Sequence, residues 1–166
     1  MNSDTNPNPV AAGPVAAALP ASVVPVIADD SNLPLAVVGG FVAALIGAFA
    51  WAIITVIAQY QIGFMAVGVG FLVAWAVRTL GKGHTQVFGI VGGAFALLGC
   101  LLGNLLSACG FIAAERSVPT VSVAMKVLAT PSLALSILQA TSNGMDLLFY
   151  AIAVYEGYKL ARRRPA

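Results

Sequence analysis

The sequence predicts an all-α protein: a bundle of four transmembrane helices preceded by a disordered N-terminal tail. No charged residue falls between Leu33 and Ala58, and uncharged runs return at residues 62–77 and 87–114. An α-helix rises about 1.5 Å per residue, so about 20 apolar residues cross a hydrocarbon layer of about 30 Å. Only 8% of the 166 residues are charged and 60% are hydrophobic, a composition that excludes an ordinary soluble domain.

Residues 1–32 are predicted to form a disordered, cytoplasmic tail rich in proline and alanine. Prolines at positions 7, 9, 14, 20 and 25 oppose both helix and strand. No Lys or Arg lies near Met1 to begin a secretory signal, and Asp29 and Asp30 precede the first apolar run. We therefore expect the run that begins at Leu33 to remain as a membrane anchor.

Helix one is predicted at about 34–57 and helix two at about 61–80, with a tight turn near residues 58–61 between them. Small residues recur at steps of three and four along both helices and therefore share one face of each. In lipid, small side chains let helix backbones approach and gain dispersion contact. Arg78 falls in the last turn of helix two, from which its side chain can reach the headgroups.

Helix three, at about 87–114, has the most regular small-residue face. A face with a period of about 3.5 residues stays on one side of a helix and favours close, left-handed crossing. Glycine costs about 1 kcal/mol relative to alanine in a water-exposed helix, so close packing is the expected reason for so many glycines. The residues predicted to make helix contacts are Gly40, Gly47, Gly70, Gly89, Gly92, Ala96, Gly99, Gly103 and Gly110.

A fourth crossing is predicted at about 145–161, although only residues 147–155 of it are uncharged. It spans the membrane only if Asp146 and Glu156 lie at opposite interfaces or if both carboxylates find partners. The preceding connector, 115–144, is predicted to be external with one short interfacial helix. Its apolar stretch is too short for a crossing and is interrupted by Pro131.

The distribution of basic residues favours four crossings over a five-helix alternative in which the connector also crosses. Four crossings place the basic segments 78–82 and 162–164 on the same side of the membrane, whereas five separate them. Basic loops lie preferentially on the cytoplasmic side. We therefore expect a membrane domain at 33–161 with both termini cytoplasmic, followed by a basic tail at 162–166.

Four polar residues are predicted to lie within the membrane: Asn104, Asp146, Glu156 and Arg78. A buried amide is expected to form a hydrogen bond to another helix. A carboxylate at membrane depth is a candidate for function. We expect a Glu156–Arg78 contact and place Asp146 near Arg116; structural pairing is one interpretation of these groups, and a proton or ion pathway is the other.

Residue patterns for catalysis and metal binding are missing from the sequence. The segment 78–85 resembles a phosphate-binding loop, but Ala76 stands where that loop requires glycine and Gly83 where it requires Ser or Thr. His84 is the only histidine, and the two cysteines have no metal-binding spacing. With a net charge of only +2, a nucleic-acid partner is not expected either. The sequence therefore predicts no enzyme, no cofactor and no metal site.

Two segments of the sequence carry a resemblance to known proteins. They are YQIGFMAVGVGFLVAWAVR at residues 60–78, followed by Gly81-Lys82-Gly83, and LLFYAIAVYEGY at residues 147–158. They resemble segments of small, uncharacterised bacterial multi-pass membrane proteins. The resemblance implies an inner-membrane location and four helices, and it supplies no activity. Some such proteins have a cysteine-bearing metal ribbon at the N-terminus, whereas no cysteine precedes Cys100 here.

The leading functional hypothesis is a non-enzymatic membrane protein that acts through helix packing, as a homo-oligomer or as an accessory subunit of a larger complex. Small-residue faces on three helices offer more contact surface than one compact hairpin uses. The alternative is a small channel or transporter with a polar path near Asn104 and Glu156. In both cases the lipid bilayer is the expected surrounding.

Overall fold

The computed structural model describes residues 31–61 and 63–162, which form helices joined by short connections. The helices are α1 Leu33–Ala58, α2 Met65–Gly81, α3 Gln86–Arg116, α4 Thr120–Leu128, α5 Pro131–Thr141 and α6 Gly144–Ala161. No strand occurs within these two ranges, so the all-α prediction is confirmed for them. Apart from residues 31, 32 and 162, the predicted tails lie outside the described residues.

Two of these helices, α1 and α3, are long and apolar enough to cross a membrane. The α4–α5 pair is bent by 110° at its break and would add one broken or re-entrant span. α2 is apolar but has only 17 residues. By length and composition, the described chain therefore has two or three candidate membrane spans.

Helices α1, α2, α3 and α6 pack side by side and form the body of the protein. α2 and α3 contact each other, and each also contacts both α1 and α6. The backbones of α1 and α6 do not meet, because α2 and α3 lie between them. α4 and α5 pack against α3, where Val127 lies with Leu105 and Cys109 in a second apolar cluster.

The directions of the helices follow from the residues in contact. Gly39 and Gly47 of α1 lie against Leu80 and Val69 of α2, so these two helices are antiparallel. The same reasoning makes α3 antiparallel to α6 and parallel to α1. The contacts that establish these directions are Gly89–Tyr158 and Gly93–Val154 for α3–α6, and Gly40–Phe95 and Gly110–Val56 for α1–α3.

The alternating directions give the body two different ends. At one end lie the start of α1, the α2–α3 loop and the end of α6; we call it the basic end because it carries Arg78, Lys82, Lys159 and Arg162. The α1–α2 turn, the end of α3 and the start of α6 lie at the far end. A backbone hydrogen bond of 2.8 Å from Asn32 to Gly81 joins two of the segments at the basic end.

Local signals in the sequence explain where the helices begin and end. The Asn32 side chain accepts a hydrogen bond from the Leu35 backbone at 3.1 Å and caps α1. Gln59, Lys82 and Ser117 follow the last residues of α1, α2 and α3 with φ values of 53°, 50° and 53°. This left-handed conformation is a common way to end a helix.

The structure departs from the predicted elements at two places. α2 begins at Met65 rather than near residue 61; residues 63 and 64 still belong to a turn, and Gln61 forms a hydrogen bond with Asn104 of α3. The connector contains two helices rather than one, because Pro131 starts α5 instead of only ending the apolar stretch. Proline is favoured at the first position of a helix, where its missing N–H is not needed.

The closest helix approaches occur along α6. A Cβ atom on Gly70 of α2 would lie 2.6 Å from the Ala153 carbonyl oxygen of α6. A Cβ atom on Gly92 of α3 would lie 2.5 Å from the Gly157 carbonyl oxygen, and one on Gly157 would lie 2.8 Å from that of Gly92. Since the obstructing atoms belong to the backbone, larger side chains at these positions require the helices to move apart.

Replacing Gly70 with alanine should therefore destabilise the protein by about 1–3 kcal/mol, the usual cost of overpacking a tight interior. Gly68, on the same helix, has no atom within 4 Å of its Cβ position and provides the matched control. Unfolding of Gly70→Ala and Gly68→Ala in the same detergent measures the difference. Equal stability of the two variants would contradict this view of the α2–α6 contact.

Candidate functional site

Asn104 is fully buried on α3 and connects three other parts of the chain. Its Nδ2 donates hydrogen bonds to the Tyr150 hydroxyl at 2.8 Å and to Ser142 Oγ at 3.2 Å. Its Oδ1 accepts one from Gln61 Nε2 at 3.1 Å. The expected hydrogen bond to another helix is present, and the amide also binds the α1–α2 turn and the α5–α6 connection.

Asn104 lies toward the far end of the bundle, about 27 Å along α3 from Gln86 as measured by helix rise. α2 and α6 also begin at this level, so Asn104 lies among their first turns rather than midway along the bundle.

Asp146 is 5% exposed and belongs to the start of α6. Its Oδ2 accepts a hydrogen bond from the Asn143 backbone at 3.2 Å, and Asn143 Oδ1 accepts from the Met145 and Asp146 backbones at 3.0 and 3.2 Å. This reciprocal arrangement is a capping box. Asp146 is therefore held by its own helix end, and it forms no ion pair with Arg116, the residue that we expected nearby.

A cavity of about 670 Å³ opens beside this capping box at the far end. Its polar lining includes Gln61, Asn143 and Asp146, and its aromatic lining includes Tyr60 and Phe149. The Phe149 ring packs edge to face against Phe64, with 6.5 Å between the ring centroids. Through Gln61, the cavity is continuous with the buried hydrogen bonds of Asn104.

Arg78 and Glu156 lie at the basic end, and both are half-buried. Arg78 lines a groove with Trp75 and with Leu160 of α6, one turn beyond Glu156. The expected Glu156–Arg78 ion pair is not formed in the described part of the chain. Each side chain remains partly exposed on the surface of the bundle.

The nine small residues predicted to make helix contacts all lie against another helix of this same chain. Those of α1 contact α2 or α3, and Gly70 contacts α6. Those of α3 are divided among three neighbours. Gly89, Gly92 and Ala96 lie against α6, Gly103 and Gly110 lie against α1, and Gly99 lies against both α2 and α1.

Sequence reasoning missed three partners of Asn104: Gln61, Ser142 and Tyr150. Gln61 and Ser142 lie in connections between helices, whereas Tyr150 lies on α6. A usable signal exists for Tyr150: Tyr150, Ala153, Gly157 and Ala161 follow one another at steps of three, four and four residues and so share the buried face of α6. No comparable periodicity exists for residues in turns.

No protein-family model, curated protein or solved structure matches this chain. The resemblance to bacterial multi-pass membrane proteins therefore remains a prediction. Within residues 31–61 and 63–162, no three His, Cys, Asp or Glu side chains come together in a way that would hold a metal ion.

Removing the hydrogen bonds of Asn104 should destabilise the bundle in a graded way. Tyr150→Phe deletes one interhelical hydrogen bond and should cost about 0.6 kcal/mol, the average measured in membrane proteins. Asn104→Leu leaves Gln61, Ser142 and Tyr150 without their partner and should cost about 1–3 kcal/mol. Tyr155→Phe, at a side chain that is 56% exposed, is the control. An Asn104→Leu variant as stable as this control would contradict the structural role.

Proposed function

We propose that this chain is a four-crossing protein of a bacterial inner membrane that acts without catalysis, through helix packing, as an oligomerising or accessory subunit. Both termini are proposed to be cytoplasmic. The alternating directions of α1, α2, α3 and α6 support an even number of crossings. The cluster of basic residues at one end supports a cytoplasmic position for that end.

The lengths of α2 and α6 are compatible with two of these crossings. Helices of 17 and 18 residues extend about 26 and 27 Å, slightly less than a hydrocarbon layer of about 30 Å. Arg78 near the end of α2 and Lys159 near the end of α6 reach the headgroups by extending their side chains. In this arrangement α4 and α5 lie at the far interface and do not cross.

The observation that carries the packing proposal is an apolar groove between α3 and α6 on the outside of the bundle. Its volume is about 680 Å³, and its lining includes the exposed small residues Ala94 of α3 and Ala151 of α6, with Gly89 and Gly93 buried at its floor. Ile90, which is 62% exposed, stands beside these small residues. Small side chains let a further transmembrane helix approach the backbone closely. The groove therefore suits a helix from a second copy or from a larger complex.

The alternative function is a small channel or transporter with a polar path near Asn104 and Glu156. The polar cavity that reaches Asn104 through Gln61 favours it. Between the levels of Asn104 and Glu156, however, α6 lies in backbone contact with α2 and α3 at Ala153 and Gly157. A path in this alternative would therefore run between subunits rather than through one bundle.

Single cysteines test the proposed topology, because the native Cys100 and Cys109 are buried. Ser117→Cys and Gln86→Cys place exposed thiols at opposite ends of α3. In intact cells, a membrane-impermeant maleimide should label Ser117→Cys and should label Gln86→Cys only after the cells are broken. Labelling of both positions from outside, or the reverse pattern, would contradict four crossings with cytoplasmic termini.

Photo-crosslinking in native membranes tests the proposed packing surface. A benzophenone maleimide attached to Ala94→Cys lies in the α3–α6 groove, and we expect it to give a product heavier than the monomer. The matched control is Ile46→Cys on the outer face of α1, where a 57% exposed side chain stands among the large exposed side chains of Val42, Phe49 and Ile53. Only monomer from Ala94→Cys, or equal products from both positions, would contradict a partner helix in the groove.

A further inference from the structure

The cavity at the far end has a carboxylate oxygen that the capping box does not use. Asp146 Oδ2 accepts the hydrogen bond from the Asn143 backbone, whereas Oδ1 has no hydrogen bond from a described residue. Oδ1 lies 3.3 Å from the position that a Cβ atom would take on Gly63. Gly63 and Asp146 both line the cavity, so the carboxylate stands at its wall.

Gln61 adds a second acceptor to the same cavity. Its Nε2 donates to Asn104 Oδ1 at 3.1 Å, so the amide group is held in one orientation. The Oε1 atom is then the acceptor that Gln61 has left for a ligand. A ligand that fits these two oxygens must be a hydrogen-bond donor, and one that carries positive charge gains most from the carboxylate.

Aromatic rings complete the lining. Tyr60 and Phe149 border the cavity, and Phe64 holds the Phe149 ring by an edge-to-face contact. Aromatic faces attract cations, most strongly where water is excluded. No Lys or Arg among the described residues lines the cavity. One carboxylate and one amide are too few oxygens for a calcium ion, which takes six to eight oxygen ligands.

We infer that this cavity binds an organic ammonium group, with Asp146 Oδ1 and Gln61 Oε1 as acceptors and the Tyr60 and Phe149 rings beside it. The capping box fixes the carboxylate before the ligand arrives, which reduces the cost of ordering it. Because the cavity lies near the edge of the proposed hydrocarbon layer, the ammonium can belong to a phosphatidylethanolamine headgroup or to a free amine. The site requires neither oligomerisation nor transport, and only its assignment to a lipid headgroup rests on the proposed position of the hydrocarbon layer.

The test is a titration of the full-length protein in detergent with octylammonium, with octanol as the uncharged comparison. We expect saturable binding of octylammonium to the native protein. Binding to Asp146→Asn should be at least about tenfold weaker, because this substitution removes the negative charge that attracts the ammonium group. The amide introduced by this substitution keeps an oxygen for the Asn143 backbone, so the helix cap is retained. Glu156→Gln makes the same change in charge at the other end of α6 and should bind as the native protein does.

Equal affinity of the native protein and Asp146→Asn, or equal binding of octylammonium and octanol, would overturn the inference. If Asp146→Asn does not fold, Gly63→Ala serves as the second variant, since its Cβ atom would lie 2.7 Å from Phe149 Cδ2 and fill the space beside Oδ1. This variant should also weaken octylammonium binding, and unchanged affinity would count against the site.

Nanodiscs distinguish the two sources of the ammonium. If the site holds a lipid, phosphatidylethanolamine nanodiscs should raise the unfolding temperature of the native protein above that in phosphatidylglycerol nanodiscs, and Asp146→Asn should lose this difference. If the site holds a free amine, octylammonium should bind while the two lipids give equal stability. Failure of both arms would overturn the inference, whatever the crosslinking and topology experiments show.

Discussion

Direct contact between helix backbones along α6 is the constraint on which the rest of this structure depends. Inside a bilayer, apolar side chains gain little by leaving lipid, so helices associate where their atoms can approach most closely. Gly92 and Gly157 meet across α3 and α6, and Gly70 meets Ala153 across α2 and α6. These contacts hold α6 against both α2 and α3. They thereby determine which residues of α6 meet α3 and the α1–α2 connection at the far end.

The hydrogen bonds of Asn104 and the cavity follow from that arrangement. With Gly157 opposite Gly92, antiparallel packing brings Tyr150 to the level of Asn104 and Asp146 to the level of Gly63. The Gln61 and Ser142 side chains of the adjoining segments then complete the hydrogen bonds of the Asn104 amide. Packing in the apolar region and polar contacts at its edge therefore stabilise the same register of α6.

The sequence predicted the long helices well because lipid imposes a simple rule: uncharged runs with small-residue periodicity become packed helices. α1, α3 and α6 begin and end within two residues of their predicted bounds. The start of α2 and the division of the connector were harder to predict, since residues that connect helices, such as Gln61, are held by tertiary contacts. For the same reason the amide of Asn104 was identifiable from sequence, whereas its partners in turns, Gln61 and Ser142, were not.

The most direct test of the backbone contact is a solid-state NMR measurement of the dipolar coupling between the Gly92 carbonyl carbon and the Gly157 Cα carbon. The protein is labelled at glycine, held in lipid bilayers, and compared with Gly157→Ala to assign the signal. The account predicts a strong coupling that this substitution abolishes, because these backbones touch. A correctly folded protein without measurable coupling between the two residues would show that α3 and α6 are separated there and would contradict the account.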